Sequence, residues 1–184
     1  MRAEAYAYTD HVIQRLWQRG PGEEPPEVSV LLDAARDPQL PALIRRSRLD
    51  HRCLLRGRLP PVLAAVAPYL VSLSPRSAFT KTVIEQGWGE SWGIFLRSPA
   101  ILPELARHLR DLLLIKDQRG KEFFFRFYDP RVLRPYLPTC TPAELRTFFG
   151  PVDAIALEGE EEDTIVELSL VRDRLAQRIV YVGR

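Results

Sequence analysis

Cysteine, lysine and long apolar runs are all scarce in this 184-residue chain, and each shortage closes off a class of protein. Cys53 and Cys140 are its two cysteines and no CxxC pair occurs. That excludes a disulfide framework and a cysteine-built zinc site, leaving two buried thiols as the expectation. Lysine occurs at positions 81, 116 and 121, so arginine carries nearly all of the positive charge. Its planar fork suits carboxylates, carbonyls and protein interfaces. The formal charge of +2 is too small to predict nucleic-acid binding. No apolar stretch approaches the roughly 20 residues that cross a bilayer. Leu59–Leu73 is broken by prolines and Leu109–Ile115 by charges. The first ten residues, MRAEAYAYTD, lack a basic segment followed by an apolar run. A cytoplasmic protein with no membrane partner is expected.

Chemical motifs are missing as well. The ten glycines never form GxGxxG or GxxxxGK[ST], and neither GxSxG nor HExxH occurs. His11, His51 and His108 are scattered, without a second ligand at metal spacing. No cofactor and no metal are expected.

The composition that is present, 46% hydrophobic and 27% charged, is enough to bury one core. A helix is expected over Asp10–Arg19, capped by Thr9 and stopped by Gly20. The linker PGEEPP follows. Strands are expected at Val28–Leu32, His51–Leu55, Tyr69–Leu73, Trp92–Arg97 and, aromatic throughout, Glu122–Tyr128. Helices are read at Ala34–Arg48 in two pieces, Pro61–Ala67, Phe79–Gln86, Leu102–Lys116 and Arg131–Leu137. Thr141–Phe149 has a capping box from Thr141 and Glu144, with Pro142 at the first helical position. Val152–Leu157 and Ile165–Val171 then pair across the acidic turn GEEED, and a last strand covers Ile179–Val182. The fold expected is mixed α/β: a single domain, a mixed β-sheet flanked by helices, and a C-terminal β-hairpin. Residues 1–27 form an N-terminal helix and linker ahead of a domain spanning 28–184. The segment 151–184 holds eight acids and four arginines, so the rest of the chain is basic.

Few residues offer chemistry. His51 and Cys53 share a strand face, but no orienting third group is visible. Asp33 and Asp129 each end an expected strand. They suit an acid/base pair, and equally a helix cap and a turn. KEFFFRFY (Lys121–Tyr128) interleaves aromatics with basic residues as a nucleic-acid platform does. Phe123, Phe125 and Phe127 share one face, Phe124, Arg126 and Tyr128 the other, and no second aromatic strand matches. Trp88 and Trp92 flank a glycine-rich turn. Trp92 is expected in the core beside Ile94, and Trp88 is open to either a core or an interface role. Arg126, Tyr128, Asp129 and Arg131 cluster at a strand end, either as an internal Arg–Asp network or as a contact for another protein.

Five stretches, in order, carry a resemblance: LLDAARDP (Leu31–Pro38), VAPYLVSL (Val66–Leu73), QGWGESWGIFLRS (Gln86–Ser98), FRFYDPRVLRPYLPTC (Phe125–Cys140) and FFGPVDA (Phe148–Ala154). Together they resemble the DUF4123 family, the adaptor chaperones of bacterial type VI secretion, over about Val28–Leu157. The resemblance implies a non-enzymatic protein that binds a toxic effector in the producing cell and helps load it onto the spike protein at the needle tip. Trp88, Trp92, Arg126, Tyr128, Asp129 and Arg131 are then the candidate protein-binding residues. The segment after Leu157 is shorter than in many members, which puts more of the cargo contact on the common domain or on another partner. The alternatives are a small enzyme using Asp33, Asp129 or Cys53, and a nucleic-acid-binding module.

Overall fold

The computed structural model describes residues 2–20, 22, 24–116, 119–161 and 163–183, with residues 2–7 described by backbone alone. Pro21 and Glu23 of the expected linker and Glu162 of the acidic turn lie outside the described residues. Seven strands form one sheet: β1 (Val28–Asp33), β2 (His51–Cys53), β3 (Pro68–Ser72), β4 (Gly93–Arg97), β7 (Ala154–Glu158), β8 (Thr164–Val171) and β9 (Arg174–Tyr181). Their order across it is β2-β3-β1-β4-β7-β8-β9. The α/β class is as expected. Every pairing within the sheet is antiparallel, because the strands that α2 and α4 connect, β1 with β2 and β3 with β4, are each separated by a strand running the other way. A separate hairpin pairs β5 (Leu114–Lys116) with β6 (Glu122–Phe124).

Both faces of the sheet are roofed. On one face α1 (Arg2–Leu16), α2 (Leu40–Ser47) and α4 (Ala78–Gly87) bury Val12, Leu16, Ile44, Phe79 and Ile84 against Val30, Leu32 and Phe95. On the other, α5 (Leu102–Asp111), α6 (Pro130–Tyr136) and α7 (Pro142–Phe149) bury Leu105, Leu109, Leu133 and Phe149 against Leu31, Ile94, Leu96 and Ile155. β1 lies between them and is buried at all six positions. Its continuous apolar run is what a strand covered on both sides requires. A four-residue helix, α3 (Pro61–Ala64), precedes β3 and has no buried residue.

Several elements differ from expectation. α1 starts at Arg2, so Thr9 lies inside it, 1% exposed, instead of capping it. α5 stops at Asp111: the leucine run continues into β5, whose ladder reaches one step further through Phe125 N–H to Leu113 O at 2.8 Å. The aromatic strand is cut to Glu122–Phe124. Beyond it the chain leaves the ladder: Phe127 and Tyr128 are both buried, and Asp129 N–H turns back to Arg126 O at 3.0 Å. β9 is longer than expected. Arg172 and Asp173 both hold positive φ, 50° and 63°, closing a two-residue hairpin turn without glycine or asparagine.

Candidate functional site

β1 and the start of α6 bring the expected polar residues to one corner. Asp33 ends β1 and is 1% exposed. Its N–H donates to Trp92 O at 2.8 Å, and its carboxylate accepts Ala35 N–H at 3.0 Å. Asp129, also buried, caps α6 by accepting Arg131 N–H at 3.0 Å, with Pro130 at the first helical position. One guanidinium joins the two acids: Arg126 Nη2 donates to Asp33 Oδ2 and lies 3.8 Å from Asp129 Oδ2. Arg131 grips Asp129 through both oxygens, Nε to Oδ1 at 2.9 Å and Nη2 to Oδ2 at 2.7 Å.

Two carboxylates thus meet two guanidinium groups, the arrangement in which buried acids are tolerated. Burial pushes the Asp129 carboxyl up, but the bonds from Arg131 and the charge of Arg126 outweigh it and hold the group below its ordinary value. Burial, then the charge of Asp33, pushes the Tyr128 hydroxyl up to about 12. Arg126 and Arg131 each keep about half of their side chain exposed. The corner therefore leaves two guanidinium edges exposed while its acids are already bound.

The tryptophan turn is held from three sides. Glu158, at the end of β7, accepts Gly89 N–H at 2.7 Å, Ser91 N–H at 3.3 Å and the Ser91 hydroxyl at 2.8 Å. Arg36 donates twice to Glu90 O, at 3.0 and 2.9 Å. Gly93 sits so close to β1 that a Cβ would overlap the Leu31 carbonyl oxygen. Trp92 is buried as expected, but it precedes β4 and joins the cluster of Phe95, while Ile94 points into the opposite cluster. Trp88 is half-buried, stacked on Phe95 at 6.1 Å and edge-on to Tyr8 at 5.9 Å. The corner and the turn touch through the Asp33–Trp92 bond.

The remaining candidates lie elsewhere. His51 Nδ1 is 2.9 Å from Leu49 O, and burial pushes the Cys53 thiol up, away from thiolate. Phe123 and Phe124 are both exposed on the β5–β6 hairpin, while Phe125 and Phe127 are core. Among the described residues no group of three His, Cys, Asp or Glu side chains could hold a metal ion, and no helix is long and apolar enough to cross a membrane. Sequence reasoning missed Glu158, the residue between the expected strand Val152–Leu157 and the turn GEEED. It also missed a set of arginines that bind main-chain carbonyls: Arg36, Arg97 to Leu16 O, Arg110 to Cys53 O and Leu54 O, and Arg134 to Glu158 O and Gly159 O. The arginine excess was their one signal.

Compared with known protein families, residues 28–147 match DUF4123, described as a domain of unknown function. That segment contains β1 to β6 and both the corner and the turn, except Glu158. No curated protein and no solved structure matches the chain.

Proposed function

From the premise that this chain belongs to the DUF4123 family, we propose that it is a non-catalytic adaptor of type VI secretion, which holds a toxic effector in the producing cell and brings it to the spike. The family match over most of the chain carries this reading. The exposed apolar surface supports it: Leu114, Ile115, Phe123 and Phe124 are each 39–56% exposed on the β5–β6 hairpin, and Val62 is 77% exposed on α3. A two-stranded hairpin is marginal in water by itself, and one apolar on both faces suits a partner that covers it. The corner supports it too, since its acids are engaged by Arg126 and Arg131 and its guanidinium edges face out.

The test is secretion from the native cell with this chain deleted. The adaptor reading predicts loss of one toxic effector from the secreted set while the needle still fires its other components. An unchanged secreted set overturns it.

A further inference from the structure

The sheet is covered unevenly. On the α5–α7 face, α7 reaches across to β8 and β9. On the α1 face, roofing ends at Leu16, and a hollow of about 340 Å³ opens over β7, β8 and β9. Strand register defines its floor. Arg97, Ala154, Ser169 and Ala176 lie in one row across the sheet, and Phe95, Ala156, Glu167 and Arg178 in the next. Four of these eight side chains are alanine or serine, so the floor is recessed below the apolar wall formed by Leu16 and Phe95.

Its charge is unbalanced. Arg15, Arg97 and Arg178 surround a single carboxylate, Glu167. Register sets Glu167 opposite Arg178, yet its two oxygens accept from Arg15 at 2.6 and 2.5 Å, with Arg97 at 3.9 Å. Arg97 spends its guanidinium on the last carbonyls of α1, Leu16 O at 2.8 Å and Arg15 O. Arg178, and Arg174 four residues before it on the same strand face, are exposed and have no ion pair or side-chain hydrogen bond among the described residues. The neighbouring strand has no acid left to give them. The segment 151–184 is acidic overall, but its acids crowd the β7–β8 turn at 158–163.

We propose that this hollow seats an amphipathic helix of the carried effector, its apolar stripe on the alanine floor and its carboxylates on Arg178 and Arg174. A helix is the layer that covers the central strands on both faces. Small floor residues give it room, and the surplus of two positive charges selects an acidic one. Arg97 and Phe95 apart, the lining residues fall outside the segment 28–147 matched by the family. The hollow therefore lies mostly outside the segment shared with the family. The inference rests on the adaptor reading.

The experiment uses the full chain in its native cell, with a photo-crosslinking residue at Ser169, on the floor, or at Val62, on α3 near the β2 end of the sheet. Cross-linked peptides are sequenced, and the uncrosslinked partner is quantified for wild type and for Arg174→Glu with Arg178→Glu. The expected result is a cross-link from position 169, and none to the same segment from 62, to an acidic, helix-patterned stretch of a second protein. The double variant should keep its thermal midpoint and retain that protein about tenfold less well. A cross-link from 169 to nucleic acid or to another copy of this chain overturns the proposal. If the same partner is captured undiminished by the double variant, with no cross-link from 169, the adaptor reading stands and the hollow is not its seat. If wild type captures no partner, the adaptor reading fails and this proposal with it.

Discussion

Arg126 acts on two carboxylates that the chain delivers from the end of β1 and the start of α6. Removing it leaves Asp33, 1% exposed, with only the Ala35 N–H. Arg126→Ala is expected to cost about 2 kcal/mol in urea unfolding. Arg126→Lys should recover only part of this, since its shorter side chain must bring one ammonium to the place where Nη2 faces both acids. Asp129 gives the acid limb of stability. Its folded pKa lies below the unfolded value of about 3.9, so its contribution is complete above that value and is lost as pH falls through the folded one. Asp129→Asn should flatten the dependence of the unfolding midpoint on pH in this acid range. Tyr128 has the opposite sign: its folded value of about 12 is raised, so its contribution is complete below about 10 and fades as pH rises toward 12. Each residue's local role was legible, Asp33 at a strand end and Asp129 before a proline. Their union was not, because nothing in a linear pattern says which guanidinium two distant acids will share.

Among the elements, α7 was legible because its signals are local: Thr141 and Glu144 form the capping box and Gly150 ends the helix. The β5–β6 hairpin was not, since a leucine run satisfies helical and strand patterns alike and tertiary pairing decides between them. The tryptophan turn is the element on which the central strands depend. Gly93→Ala would drive a methyl group into the Leu31 carbonyl and Leu32 Cα, where β1 and β4 pair through main-chain bonds that cannot step aside. This variant is expected to yield no soluble folded protein, whereas Gly89→Ala, at positive φ with open space around it, should fold with a loss of about 1 kcal/mol. Glu158→Gln tests the clamp. A neutral amide keeps one acceptor where a carboxylate served three donors. Trp88 fluorescence should shift to the red while the thermal midpoint moves only a few degrees.

At the scale of the whole molecule, the sequence pattern established the class through its alternation of strand and helix signals. It could not show that all pairings are antiparallel, or that α1 belongs to the same core as β1 and Ile165. Two surfaces result. One is the apolar hairpin, inside the segment matched by the family. The other is the arginine-rimmed hollow, almost wholly outside it. The proposed adaptor role asks for two contacts, one with the secretion needle and one with its cargo, and the hairpin and the hollow are the two surfaces proposed for them. The most direct measurement is affinity capture of the tagged chain from its native cell, with mass spectrometry of what stays bound. The account predicts a toxin-like protein together with a spike component. Recovery of neither, from cells that demonstrably express a type VI apparatus, would contradict it.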